Sequence, residues 1–234
     1  MPVQTRLAQI PDFILDLLFP KQCIGCGSEG EFLCTTCAQT LPNLVPPFCN
    51  RCGLPTTGRS ICPDCHNLPL AIDGIRSLYN HEGLARDLVH AIKYKNMKAM
   101  ATPMASLMAA YLESNPLPID ILAPIPMHAK RLRKRGYNQA GLLAKELSNI
   151  CNFPSENNSI IKVKNTVSQV TLPAEDRHRN VEGVVLCKDR IFIDKEILLI
   201  DDVCTTGATL NACALALKNA GAITVWGLTF SREC

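Results

Sequence analysis

Four pairs of cysteines near the start of the chain constrain its fold more than any other feature. The chain has 234 residues and thirteen cysteines, eight of which lie between positions 23 and 65. These eight form two versions of one pattern, C-x2-C-G, a spacer and C-x2-C, in "CIGCGSEGEFLCTTC" and "CNRCGLPTTGRSICPDC". The segment has no clear apolar periodicity, so it needs a cross-link or a metal to fold.

The spacing of the cysteines favours metal ligation over disulfides. Each C-x2-C turn directs two sulfurs to one point, and two turns supply the four thiolates of a tetrahedral Zn²⁺ site. The start of the chain lacks a secretory pattern, so we expect a cytoplasmic protein, and disulfides are rare in that reducing compartment. We therefore predict two structural zinc sites. An iron–sulfur cluster is the less favoured metal centre, because nothing in the segment indicates redox work.

The repeat of the pattern as a unit indicates that the ligands group in sequence order. Cross-braced pairing, with the first pair joining the third and the second joining the fourth, is the alternative. The predicted ligands are Cys23, Cys26, Cys34 and Cys37 for one site, and Cys49, Cys52, Cys62 and Cys65 for the other.

Composition divides the chain into three regions. Residues 1–20 are predicted to form a leading helix that ends at Pro20, residues 21–66 the double cysteine ribbon, and residues 74–234 an α/β domain. The apolar stretch "IPDFILDLLF" is too short to cross a bilayer and carries acids, so no membrane insertion is expected.

Strand and helix candidates alternate from Gly74 onward. The strand candidates are "GIRSLYN", "IDILAPIP", "EGVVLC", "EILLI" and "ITVWGLTF". Helices are expected over the periodic segment that contains Leu84 to Ile92, over "ATPMASLMAAYLES", and from about 138 to 150 and 209 to 220. This alternation is typical of a largely parallel sheet flanked by helices.

The stretch "ILLIDDVCTTGATL" carries the clearest chemistry. An apolar strand delivers Asp201 and Asp202 to the carboxyl edge of the sheet, where open α/β sheets bind ligands. A turn of hydroxyls and one glycine then leads into a helix, whose first amides would cradle an anion. The stretch lacks the Walker pattern. Two carboxylates that accept hydrogen bonds from hydroxyls, beside a loop that binds a phosphate, fit a sugar phosphate with Mg²⁺. The cradle residues are Thr205, Thr206, Gly207, Ala208 and Thr209.

A second cluster is basic and lies after the strand "IDILAPIP". The net charge of +3 does not by itself indicate a nucleic-acid binder, but the cations concentrate in "HAKRLRKRGYNQ", which we interpret as a loop. The polar segment "LPAEDRHRN" adds two arginines on an expected mobile flap. Such groups suit a pyrophosphate or single-stranded DNA. They are Lys130, Arg131, Arg133, Lys134, Arg135, Tyr137, Asn138, Gln139, Arg177 and Arg179.

The strand, acid pair and Thr-Thr-Gly-x-Thr turn resemble the phosphoribosyl pyrophosphate (PRPP) loop of type I phosphoribosyltransferases. This resemblance implies that Asp201 and Asp202 are the catalytic pair and contact the ribose hydroxyls of PRPP. It also implies that the loop 205–209 holds the 5′-phosphate and that Mg²⁺ accompanies PRPP. The implied fold is type I phosphoribosyltransferase-like, preceded by the zinc-ribbon module.

The order of motifs along the chain resembles the ComF family of competence-associated proteins. The cysteine ribbons are followed by "YNHEGLARDLVHAIKYK", "PIPMHAKRLRKRGYNQA", "RHRNVEGVV" and the acid–threonine loop. The resemblance implies a cytoplasmic protein of natural transformation or DNA utilisation that binds PRPP and handles imported single-stranded DNA. Other DNA-uptake proteins at the inner membrane would be its partners. Lys93, in "AIKYK", lies in one of these motifs.

Two other functions remain open from the sequence. One is a phosphoribosyltransferase of nucleotide or amine metabolism, and the other is a regulator that senses PRPP. No segment resembling a base-recognising hood is found and no acceptor is identified, so the resemblance does not establish transferase activity.

Overall fold

The computed structural model describes most of the chain from Pro20 onward. The described residues are 20–67, 70–162, 185–187 and 190–233. The leading helix predicted over residues 1–20 lies outside them, apart from Pro20. The chain separates into two compact units, Met1–Thr40 and Leu41–Cys234.

Seven α-helices and six strands occur in the described residues. The helices are α1 Thr35–Gln39, α2 Pro63–Asn67, α3 Gly83–Tyr94, α4 Ala101–Ser114, α5 Ala129–Arg135, α6 Gln139–Cys151 and α7 Ala208–Asn219. The strands are β1 Gly74–Asn80, β2 Ile121–Pro124, β3 Ile160–Lys162, β4 Val185–Cys187, β5 Glu196–Cys204 and β6 Thr224–Arg232. Short 3₁₀ turns cover Lys98–Met100 and Arg190–Phe192.

Four strands form a parallel sheet in the order β1-β6-β5-β2. The centre of this sheet is apolar, and residues 197–200 of β5 are fully buried. A continuous apolar run is typical of a parallel strand that is covered on both faces. The prediction of a largely parallel sheet with flanking helices is therefore confirmed.

The helices pack apolar faces against this sheet and against one another. In α3, Leu88, Val89 and Ile92 are fully buried, as expected from their helical spacing. In α6, Leu143 and Leu147 are also fully buried. Each such side chain contributes roughly 1.5–3 kcal/mol of hydrophobic stabilisation. Within the described residues, no helix is long and apolar enough to cross a membrane.

Two local predictions need correction. The basic segment that we interpreted as a loop is the helix α5, because alanine, leucine, lysine and arginine all favour helix. Its first turn is capped by His128, whose ring Nδ1 accepts a hydrogen bond from the Lys130 amide at 3.2 Å. The strand in "EGVVLC" exists as β4, but it pairs antiparallel with β3 outside the parallel sheet.

Candidate functional site

The first cysteine cluster lies in the N-terminal unit. Its four sulfurs, from Cys23, Cys26, Cys34 and Cys37, all lie within 4.8 Å of one another. Backbone amides point at two of them, since the Cys34 amide donates to Cys23 Sγ at 3.4 Å and the Cys37 amide to Cys34 Sγ at 3.5 Å. Four convergent thiols of this kind fit a tetrahedral Zn²⁺ ion.

The second cluster has the same design in the larger unit. Cys49, Cys52, Cys62 and Cys65 have sulfurs within 4.8 Å of one another, and all four residues are buried. The Cys62 amide donates to Cys49 Sγ at 3.3 Å. In both clusters the cysteines group in sequence order, and the cross-braced alternative does not occur. This cluster also fits Zn²⁺.

The second cluster is hydrogen-bonded to the parallel sheet. The carbonyl of Arg51 accepts a hydrogen bond from the Ile75 amide on β1 at 2.8 Å. The Arg232 side chain, 1% exposed at the end of β6, donates through Nη1 to the Cys52 carbonyl. The same nitrogen lies 3.3 Å from Cys204 Sγ at the end of β5. The role of Arg232 is not predictable from the sequence, because no local pattern pairs it with a cysteine 180 positions away.

The acid pair lies on β5, which continues past both acids to Cys204. Asp202 is 4% exposed and its Oδ1 lies 3.0 Å from the Lys93 ammonium, which α3 positions. Its Oδ2 accepts a hydrogen bond from Gln139 Nε2, at the start of α6, at 3.3 Å. Asp201 is half-buried, and its Oδ1 accepts from the Asp202 amide at 2.9 Å. Three elements therefore converge on the two carboxyls.

The electrostatics of the pair make Asp201 readily protonated. Burial, and then repulsion from Asp202, raise the pKa of Asp201 to about 7, although Lys93 and Lys162 act in the opposite direction. Burial, and to a smaller extent the nearby Arg131, lower the pKa of the Lys162 ammonium. Near neutral pH the Asp201 carboxyl is thus poised to lose a proton when a cation or a hydroxyl donor arrives.

The threonine loop follows the end of β5 and opens α7. Gly207 has φ +76°, and a Cβ there would lie 2.8 Å from Ile75 Cδ1. Both the left-handed backbone and the close contact require glycine at this position. A cavity of about 30 Å³ lies against the loop, and its lining includes Asp201, Thr205, Ala208 and Thr209. The first backbone amides of α7 have no hydrogen-bond acceptor within the helix, as at any helix start. They can therefore donate to an anion.

A larger cavity, of about 320 Å³, joins the acid pair to the basic helix. It collects side chains that lie far apart in the sequence. Those predicted from the sequence are Arg131, Arg135, Asn138, Gln139, Asp201, Asp202 and Thr209, with Lys93 from the motif "AIKYK". Those that the sequence analysis did not single out include Tyr94, His128 and Lys162.

Other predicted residues lie elsewhere. Lys130, Arg133 and Lys134 are exposed on α5 and are not part of the cavity lining. Tyr137 is 8% exposed, and its hydroxyl donates to the Ile92 carbonyl. Thr206 is exposed on the loop, where its Oγ1 lies 3.4 Å from the Ala208 amide. The flap arginines, Arg177 and Arg179, lie outside the described residues.

Comparisons with known proteins give a family model for the ribbons and several relatives of the chain. Residues 14–66 match the family described as double zinc ribbon domain. Competence protein F of Haemophilus influenzae is 29% identical over 225 residues, which cover 90% of this chain and 97% of that protein. Competence protein ComFC of Bacillus subtilis is 28% identical, over 82% of this chain and 80% of its own length. The DNA utilization protein YhgH of Escherichia coli K12 is 26% identical, over 84% of this chain and 89% of its own length.

Solved structures similar to part of the chain include two proteins whose names mention PRPP or a phosphoribosyltransferase. A B. subtilis glutamine PRPP amidotransferase covers 56% of this chain and 26% of its own, with 16% identity and a TM-score of 0.39. A purine phosphoribosyltransferase from Pyrococcus horikoshii covers 56% of this chain and 81% of its own, with 18% identity and a TM-score of 0.35.

The fold and the cysteine clusters define a class, an α/β protein with a parallel sheet and a double zinc ribbon. Within that class, the sequence relatives extend over nearly the whole chain. The chain is thus similar over most of its length to competence and DNA-utilisation proteins, and the resemblance to the ComF family that the order of its motifs indicated is confirmed.

Proposed function

We propose that this protein binds PRPP with Mg²⁺ in the 320 Å³ cavity and handles single-stranded DNA for transformation or DNA utilisation in the cytoplasm. The observation that carries the proposal is the meeting of the acid pair, the threonine loop and the basic helix at one edge of the sheet. The relatives named for competence and for DNA utilisation support the second part.

The cavity offers a partner for each part of PRPP. The ribose hydroxyls would donate to Asp201 and Asp202, while the 5′-phosphate would accept from the amides and hydroxyls of residues 205–209. The pyrophosphate would lie toward Arg131, Arg135 and Lys162, whose positive charges complement it. Gln139 supports this assignment, because its Oε1 is buried with no hydrogen-bond partner among the described residues and could accept from a hydroxyl.

Carboxylates and pyrophosphate oxygens are the hard ligands that Mg²⁺ prefers, so the acid pair fits this ion. When bound, Mg²⁺ would supply positive charge to a departing pyrophosphate. The residues of the chain itself would orient the ribose, and the ion pair with Lys93 would hold the Asp202 carboxylate beside the positive charge that develops on the sugar.

DNA handling would use the cations of α5 that do not line the cavity. Lys130, Arg133 and Lys134 are exposed there and lie within one helical turn or so of one another. Such a row of cations suits a phosphate backbone of any sequence. Partners at the inner membrane would deliver the strand.

One observation favours a second candidate, a phosphoribosyltransferase with a small acceptor. A cavity of about 380 Å³ adjoins the first and shares Pro126, Met127, Asn138 and Lys162 with it. Its mixed apolar and amide lining would suit a flat polar molecule. Release of pyrophosphate from PRPP on addition of a free base or amine would favour this function over DNA handling.

Calorimetric titration with PRPP and Mg²⁺ tests the first part of the proposal. The double variant Asp201→Asn, Asp202→Asn should lose at least about tenfold in affinity, since it removes charge-assisted hydrogen bonds. The matched control Asp87→Asn alters an exposed acid on α3 and should bind as the wild type does. Equal affinity in all three proteins would refute PRPP binding at the acid pair.

The same titration has a predicted pH dependence. Because the pKa of Asp201 is raised to about 7, its carboxyl must release a proton to bind Mg²⁺ or to act as a double acceptor. Affinity should therefore fall as the pH drops below 7, approaching about tenfold per pH unit. Asp201→Asn should flatten this dependence to the part that comes from the PRPP phosphates, which titrate at about pH 6. A wild-type profile no steeper than that of Asp201→Asn between pH 6 and 8 would contradict the assignment.

Salt-dependent binding of an oligodeoxythymidylate tests the second part. Arg133→Ala combined with Lys134→Ala should weaken binding and lower the slope of log K against log salt by about 1.4. PRPP affinity should not change, because neither residue lines the cavity. An unchanged slope would remove α5 from the DNA-binding surface.

A further inference from the structure

An exposed aromatic ring lies at the mouth of the 320 Å³ cavity. Tyr94 is the last residue of α3 and is 70% exposed, although its neighbours on the helix, Ile92 and Ala91, are fully buried. It lines the same cavity as the acid pair. Tyrosine is usually half-buried or more, so a ring this open has surface available for a ligand.

The groups around Tyr94 are those that accompany a nucleic-acid base. The Arg135 guanidinium lies 5.6 Å from the centre of the Tyr94 ring, which ties the ring to the basic helix α5. One helical turn earlier on α3, the exposed His90 ring has its centre 5.4 Å from that of Tyr94, at an interplanar angle of 82°. His81 continues the row, with its ring centre 6.4 Å from that of His90.

The nearby Tyr137 does not compete for this role. The Tyr137 side chain is buried, with its hydroxyl bonded to the Ile92 carbonyl and the Lys98 ammonium 5.0 Å from its ring centre. Among the described residues of the cavity lining, Tyr94 therefore supplies the aromatic surface beside the cations.

We propose that Tyr94, flanked by His90, is a stacking platform for an unpaired base of a single strand whose phosphates are held on α5. This inference rests on the proposed DNA-handling function. It names the interaction by which the protein would distinguish a single strand from a duplex. A base stacks on an aromatic face only when it is free of its own partner, so a duplex would gain nothing from Tyr94. The strand would cross the mouth of the cavity between α3 and α5.

Tyr94→Ala, compared with Tyr94→Phe, tests the platform through binding of an oligodeoxythymidylate. Loss of one stacked base weakens binding by roughly 5- to 150-fold, so Tyr94→Ala should fall in this range. Tyr94→Phe keeps the ring and should bind within about twofold of the wild type, since stacking needs no hydroxyl. The side chain is exposed, so both variants should fold, which the fluorescence of the single tryptophan verifies.

An abasic oligonucleotide of equal length separates stacking from charge. It keeps the phosphates and lacks the bases, so wild type and Tyr94→Ala should bind it equally. Arg133→Ala, in contrast, should weaken binding of both oligonucleotides and lower the salt slope, while Tyr94→Ala should leave the slope unchanged.

The outcomes distinguish this inference from the function on which it rests. If Tyr94→Ala binds oligodeoxythymidylate as tightly as the wild type, or loses equal affinity for both oligonucleotides, the stacking role is refuted and DNA binding on α5 stands. If the wild type binds neither oligonucleotide at low salt, the DNA-handling function itself fails, and the inference fails with it.

Discussion

The two cysteine clusters have the same ligands and spacing pattern, yet they relate differently to the chain around them. In the first, only Cys23 is buried and Cys26 is exposed, and the sulfurs belong to the unit Met1–Thr40. In the second, all four cysteines are buried, and the cluster packs against Leu54 and Leu70. Its backbone is hydrogen-bonded to β1 and to Arg232 on β6.

This difference shows that one repeated motif serves two structural purposes. The first cluster stabilises a small ribbon whose own core is minimal. The second adds buried surface and hydrogen bonds to the edge of the parallel sheet, close to the end of β5 where the threonine loop begins. The predicted boundary between residues 66 and 74 stays a prediction, whereas the contacts divide the chain after Thr40.

The largest expected effect comes from removing one sulfur from each cluster. Cys52→Ala takes a ligand from the buried cluster and should destabilise the larger unit by more than about 4 kcal/mol, as loss of a structural metal does. Cys26→Ala removes the equivalent ligand of the first cluster, which belongs to the other unit, and should change the stability of the larger unit much less. Denaturant unfolding followed by the fluorescence of Trp226 on β6 measures the stability of the larger unit in both variants. Equal losses would remove the distinction between the clusters.

A smaller effect is expected from the glycines that follow the first pair of each cluster. Gly27 and Gly53 both have φ +75°, so alanine costs each about 1 kcal/mol of backbone strain. A Cβ on Gly53 would also lie 2.3 Å from the Ile75 carbonyl oxygen, whereas one on Gly27 would meet no atom within 4 Å. Gly53→Ala should therefore cost about 3 kcal/mol in total. Chemical denaturation of the two variants measures the difference, and a cost for Gly27→Ala as high as that for Gly53→Ala would contradict this packing.

The smallest effect is expected at Arg232. Arg232→Met keeps much of the buried volume but deprives the Cys52 carbonyl of its donor, at a cost of about 1–3 kcal/mol. Thermal unfolding of this variant, with Arg190→Met as an exposed control, measures how much the hydrogen bond between Arg232 and the Cys52 carbonyl contributes to stability. A variant as stable as the wild type would mean that this hydrogen bond contributes nothing to holding the second cluster.

The sequence predicted the local parts of the molecule well, because their chemistry repeats at short range. Cysteine pairs with two residues between them converge on one centre in a tight turn. The apolar run before Asp201 is short and contains β-branched residues, which favours a buried strand. The sequence also favours the helix α5, since "AKRLRKR" consists of helix formers, and the interpretation of this segment as a loop is wrong.

The remaining parts depend on contacts between distant positions. The pairing of Arg232 with the Cys52 carbonyl, the approach of Lys162 to Asp201, and the open position of Tyr94 follow from how the strands are ordered. No spacing rule encodes that order in a single sequence. The buried position of Tyr137 has the same origin, since its hydroxyl bonds to a carbonyl 45 residues earlier.

The central claim is that a ribose phosphate rests on the acid pair with its phosphate on the threonine loop. A crystal structure of the protein with PRPP and Mg²⁺ tests it most directly. We expect the 5′-phosphate within hydrogen-bond distance of the amides of residues 206–209, and the ribose hydroxyls on Asp201 and Asp202. Well-ordered PRPP bound elsewhere, with this loop free of phosphate, would contradict the claim.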